Sequence, residues 1–351
     1  MIRRLTTAIV ACMLPAGPAL AAQPDEQLEV LETVLVTGEQ PGPGLWKVTK
    51  DDHVMWVLAA YGPLPMGMTW RSRQVEARIA ESQEVLYGGK VGISPNIGIL
   101  RGITLIPAAL KAGKNPGGAT LKQVLPPETY AKWLALRLKY IGKDDDIEEW
   151  RPVIALGQLQ GKAMQKNGLQ GGPGVQAVVS AAAKKHKVRI HKLKDVERVI
   201  KLENPRGMLK AAGKVEEPDL ACFTRDLADL EANIERTRAR ANAWARGDVA
   251  RLRELTRRDW KIEDECGYAL MAALTEGNSP DAARAKKLMA DAMWHAEWAG
   301  VQAQNEWLAA AQAALAKNGS TFTVLGLNDV LNPDGMIGKL RMLGYTVEEP
   351  M

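Results

Sequence analysis

Strand patterns stand at both ends of this 351-residue chain, and almost everything between them reads as helix. Near the start, residues 45–48 and 53–60 are rich in Val, Met, Trp and Leu, and 84–87 (Glu-Val-Leu-Tyr) follow after a helical stretch over 73–83 with Ser72 as its expected N-cap. Near the end, residues 321–327 form a buried-strand pattern, 334–343 a helix, and 345–348 a last strand. These elements enclose the helical middle, which suggests one domain whose two ends share a sheet. Strand–helix–strand units with short connections make that sheet mainly parallel. The predicted class is α/β, helix-rich and α+β-like, with a large helical middle over about 98–317 inserted in a domain over 45–351.

Within the middle, helices are predicted at 98–112, 127–141, 146–167 and 174–186, with a half-exposed strand at 188–193. Asp144, Asp145 and Asp146 are placed to favour the N-terminus of the third helix. Residues 219–246 and 280–317 read as two long helices, the second opened by Ser279-Pro280 and stopped by Asn318-Gly319. The glycine-rich 168–174 lacks the Lys-Ser/Thr of a phosphate loop and reads as a helix connection. Ten Trp against two Phe is an unusual balance. Most of the Trp fall at helical spacing with Leu, Met and Ala, which makes them packing residues.

The first residues carry a different signature. Arg3-Arg4, an apolar run from Leu5 to Leu14, and Ala19-Leu20-Ala21 make a secretory signal over 1–22, cut near Ala21-Ala22. The expected location is periplasmic or secreted, with no transmembrane segment in the mature chain. A leader over 23–44 ends in the turn-rich 40–44. Within it, residues 32–38 (Glu-Thr-Val-Leu-Val-Thr-Gly) read as an edge strand and also resemble a TonB box. The formal charge of +5 includes the two signal arginines. The remainder is mild and interleaved with acids, which excludes nucleic acid as the expected partner. Cys12 lies in the signal, so two cysteines are left, Cys222 and Cys266, and an oxidising compartment favours a disulfide between them over two buried free thiols. Closing that loop would contribute about 4 kcal/mol.

Two blocks resemble the TraB/GumN family of metal-dependent hydrolases. The first is Gly44-Leu45-Trp46-Lys47-Val48, then Val57-Leu58, then residues 63–68 (Pro-Leu-Pro-Met-Gly-Met). The second runs from Ala316 to Leu325, with Asn332-Pro333-Asp334-Gly335-Met336 and residues 340–348 after it. The resemblance implies a strand ending in Gly-x-x-His near each end of the domain, a Glu closing a nearby strand, and a late Arg-Asn pair. Two imidazoles and a carboxylate would then share a divalent ion. Here the first His position holds Gly62, after Ala59-Ala60-Tyr61, and the second holds Asp329, after Gly326-Leu327-Asn328. The Glu position falls on or beside Tyr87, and the late pair becomes Gln304-Asn305. The degenerate metal positions are thus Gly62, Tyr87 and Asp329. Ala59, Tyr61, Asn305, Gly326, Asn328 and Asp334 complete the expected crevice.

His53, His186, His191 and His295 lie elsewhere, and no nucleophile elbow, Walker loop or HExxH helix is present. The expectation is a non-catalytic member that binds an envelope ligand or protein, with no cofactor. A hydrolase rebuilt around Asp329 and Asp334 with a hard metal is the alternative. Coupling to TonB through 32–38 is a third.

Overall fold

A computed structural model describes residues 38–169, 174–202, 204–212, 220–257 and 280–350. Its centre is a six-stranded sheet in the order β10-β2-β3-β9-β5-β7. The strands are β2 (Leu45–Lys50), β3 (His53–Ala60), β5 (Glu84–Tyr87), β7 (Arg189–Lys192), β9 (Ser320–Gly326) and β10 (Thr346–Glu348). β3, β9, β5 and β7 run parallel, and β2 and β10 add an antiparallel edge. β9 lies between β3 and β5, with Ala60 opposite Gly326 and Glu84 opposite Thr321. The two chain ends therefore share one sheet, as the strand patterns require. The class is α/β with a helical middle.

Hydrophobicity places β9 at the centre of the sheet. Residues 321–325 are all buried, as expected of a parallel strand covered on both faces. Its two buried threonines are accommodated by specific partners. Thr323 donates to the Leu86 carbonyl at 2.9 Å, and Thr321 meets the Asn318 amide at 3.1 Å. Asn318 also donates to buried Glu84 at 2.8 Å, and Glu84 pairs with Arg189 from β7. These contacts join β5, β7 and β9 at the end of the sheet away from the strands' C-termini.

Two cores form. One surrounds the sheet, with Met55, Val57, Leu58, Val85, Leu86 and Phe322 among its members. The other lies within the helical middle. It joins α3 (Leu121–Val124), α4 (Pro127–Tyr140), α5 (Pro152–Lys166) and the first half of α8 (Ala221–Arg246) through Trp133, Leu159, Phe223, Leu227 and Ile234. The second half of α8 enters the sheet core through Ala241, Ala243 and Trp244. After α8 come α9 (Val249–Arg257) and α10 (Pro280–Lys317), then α11 (Leu327–Leu331) and α12 (Met336–Met342) after β9.

The remaining elements are α1 (Arg73–Ala80), α2 (Ile99–Ala112), α6 (Val175–Lys185), α7 (Pro205–Ala212) and two small sheets. β1 (Gly38–Gln40) pairs in parallel with β4 (Met68–Trp70), and β6 (Val91–Pro95) with β8 (Val196–Ile200). The leader segment 32–38 enters the description only at Gly38, which opens β1; residues 32–37 lie outside the described residues.

Three local readings are corrected. Ser72 stands at the N-cap of α1 without capping its backbone, because its hydroxyl donates to Glu76 at 2.6 Å. The helix expected at 146–167 begins only at Pro152. The aspartates before it serve buried Arg137 instead: Asp145 is its ion-pair partner, and the Asp144 carbonyl accepts from its guanidinium. The strand at 189–192 joins the main sheet by its backbone, with all four residues exposed.

Candidate functional site

In an open α/β sheet the ligand crevice lies outside the C-terminal ends of the parallel strands. Here the ends of β3, β9 and β5 are Ala60, Gly326 and Tyr87, and Lys192 ends the edge strand β7. The chain leaves β3 through Tyr61 and Gly62, and a cis bond joins Gly62 to Pro63. Gly62 is exposed, and a Cβ built on it would meet nothing within 4 Å. The first family His position therefore opens onto free space. Ala59 is buried in the sheet core, and its carbonyl accepts from the Trp244 indole at 2.7 Å. The half-buried Tyr61 turns its hydroxyl to the Thr237 carbonyl of α8 at 3.3 Å.

The second position is built differently. Gly326 is the N-cap of α11, and Asp329 is the third residue of that helix. The Asp329 carboxyl folds back over the strand end, where one oxygen would lie 3.2 Å from a Cβ on Gly326. Glycine thus leaves room for the acid. Burial raises the Asp329 pKa above its ordinary value; the Gly326 N–H directed at it and the charge of Lys339 offset part of that rise. Lys339, on α12, also donates to the Gln304 side chain of α10. Gln304 holds the place of the arginine in the family's late pair, so an amide meets an ammonium where a guanidinium was expected. Asn305, beside it, is exposed, as are Asn328 and Asp334. The Asp334 backbone N–H is taken up by the Asn332 side chain at 3.0 Å.

At the third position, burial raises the Tyr87 phenol above its usual range. The Ser180 hydroxyl opposes that shift without reaching hydrogen-bond geometry, so the Tyr87 Oη is buried and unpartnered. The Trp307 indole N–H is buried without an acceptor as well, and a Cβ on neighbouring Gly88 would lie 3.6 Å from its ring. Two polar groups at this end of β5 thus lack partners among the described residues.

A divalent ion needs several hard or imidazole donors converging. Among the described residues no three His, Cys, Asp or Glu side chains come together in a way that could hold one. Gly62 supplies no donor, Tyr87 supplies a phenol with a raised pKa, and Asp329 supplies one half-buried carboxylate. The donor set does not fit the ion that the family pattern implies. Of the four histidines, His53 opens β3 at the opposite end of the sheet, and His191 lies 3.6 Å from Glu84 there. His186 closes α6, and His295 lies along α10.

The TraB/PrgY/gumN family model matches residues 44–349. The chain belongs to the TraB/PrgY/gumN family. The match takes in both sequence blocks, the helical middle between them and all three strand ends of the crevice. No curated protein and no solved structure matches the chain. Lys339, Thr237 and Trp307 were not legible as site residues in the sequence. Lys339 meets Gln304 from 35 positions away, across one strand and one helix. Only the packed fold brings that pair together.

Proposed function

We propose that this TraB/PrgY/gumN protein is a non-catalytic binding or interaction module of the cell envelope, exported by its N-terminal signal. The observation that carries the reading is the set of donors at the three strand ends. Gly62 offers no side chain, Tyr87 a phenol and Asp329 a single half-buried carboxylate, and among the described residues no three His, Cys, Asp or Glu side chains converge. A divalent ion placed there would gain one carboxylate. The space in front of Gly62 and the unpartnered Tyr87 and Trp307 donors suit a ligand carrying hydrogen-bond acceptors. A Cys222–Cys266 bond belongs to the same reading. Cys222 stands in the first turn of α8, while Cys266 lies outside the described residues.

Mass spectrometry of the chain purified from a periplasm, after incubation with zinc, manganese and cobalt, tests this. The expected result is an N-terminus near Ala22, a disulfide, and metal far below one equivalent. One equivalent of metal in the wild type that disappears in Asp329→Ala would overturn it.

The alternative is a hydrolase rebuilt on Asp329 and Asp334. One observation favours it, since a half-buried acid with a raised pKa at a strand end is common at catalytic sites. It predicts a metal-dependent activity that Asp329→Ala abolishes. Exposed Asp334 would have to turn inward to take part.

A further inference from the structure

The surface of α2 does not suit a helix that faces only water. Ile99, Ile103, Ile106 and Leu110 recur at spacings of four, three and four, which aligns them on one face. All four are exposed, and Ile99 and Leu100 at the helix tip are 84% and 81% exposed. Isolated apolar residues on a surface are ordinary, whereas a continuous helical stripe marks an interaction site.

The charge around the stripe points to the partner. Residues 85–127 contain no acid and carry Lys90, Arg101, Lys111, Lys114 and Lys122. Neighbouring acids from other elements are already engaged. Glu149 pairs with Lys114 and Asp195 with Lys192, while Glu197 accepts from Ser94. Beside the stripe, α2 and α7 enclose a groove of about 870 Å³. Thr104, Ala108 and Leu209 are in its lining, together with Lys111, Arg206 and Lys210. Arg206 donates one N–H to the Thr104 carbonyl at 3.1 Å. Lys111 and Lys210 have no ion-pair partner among the described residues.

We propose that α2 is an interfacial helix that docks this protein on an anionic phospholipid surface. The isoleucine and leucine stripe enters the hydrocarbon boundary, and the cations of the α2–α7 groove meet headgroup phosphates. Apolar residues on one face with basic residues around them are the requirements for such a helix. A second copy of the chain is a poorer occupant. A two-fold contact through the same stripe would set Arg101 and Lys111 against their own equivalents. The 14-residue helix lies along the surface, and no described helix is long and apolar enough to cross a membrane. The docking is independent of whatever the crevice binds.

Co-sedimentation of the exported chain with phosphatidylglycerol-containing vesicles, against pure phosphatidylcholine vesicles, tests the proposal. The expected result is binding to the anionic vesicles only. The doubles Ile103→Asp/Ile106→Asp and Ile99→Asp/Leu100→Asp should each weaken it by about tenfold or more with an unchanged melting midpoint. Lys111→Glu/Lys210→Glu should weaken it too, and added salt should weaken it in the wild type. The same N-terminus is present in every variant, so any contribution from it cancels. Equal sedimentation of wild type and both stripe doubles would overturn the proposal, and so would no binding to either vesicle. A wild-type dimer that the stripe doubles convert to monomer, without vesicle binding, would assign the face to a second copy and overturn it equally.

Discussion

Asp329 is held half-buried, which costs its ionised form part of its solvation. A carboxyl whose folded pKa is raised above its unfolded value keeps its proton more tightly in the native state. It costs nothing below the unfolded value. As pH rises through the folded value the native state loses that advantage, and stability falls. Asparagine keeps the shape and an acceptor for the Gly326 N–H, and it does not ionise. Asp329→Asn should therefore raise the melting midpoint at neutral pH and leave it nearly unchanged in acid below both values. Parallel thermal scans at the two pH values measure this. An unchanged neutral midpoint would mean that Lys339 and Gly326 compensate the burial in full. A higher midpoint gained together with a loss of ligand would identify Asp329 as a residue retained for binding at the expense of stability.

Single elements show why most of the fold was legible. β3 spans 53–60 and α10 spans 280–317, as their patterns predict. Each has unbroken local signals: a β-branched and aromatic run in one, Pro at the start and Asn-Gly at the stop in the other. The small parallel pairs β1–β4 and β6–β8 were not legible. Their partners lie 30 and 105 positions apart at Gly38–Met68 and Val91–Val196, and strands this short hold only through pairing. In the site, the positions of Gly62, Tyr87 and Asp329 could be read because strand ends fix them. Their chemistry could not, because Lys339, Trp307 and Ser180 come from three other helices.

Trp244 shows the same dependence in an element that could be read. Its helical spacing marked it as a packing residue. Its hydrogen bond to the Ala59 carbonyl, which ties α8 to the crevice end of β3, needed the fold. Trp244→Phe keeps an aromatic edge against Trp70, which stands in T-shaped contact with it. The change leaves a buried carbonyl without that donor. It should destabilise by about 1–3 kcal/mol in chemical denaturation. A neutral result would show that another group takes over the carbonyl.

At the scale of the molecule, α8 carries the relation between the two cores. Ile234 belongs to the helical core and Ala241 to the sheet core, less than two turns apart on one continuous helix. The sheet core itself draws on strands from both chain ends. Cooperative unfolding of the whole domain therefore depends on α8 staying helical between residues 234 and 241. Ala239 lies in that interval and belongs to neither core. A proline there removes one helical hydrogen bond and clashes with the carbonyl four residues back, at a cost of about 3 kcal/mol. If the two cores are coupled through α8, the cost should appear as more than a uniform loss. Ala239→Pro should split one calorimetric transition into two, with the helical core melting first because it contains no sheet. Hydrogen exchange should show Leu159 and Leu227 losing protection while Val57 and Phe322 keep theirs. A single transition shifted as a whole would place the coupling in the remaining contacts between the helical middle and the sheet, and α8 would then be one link among several.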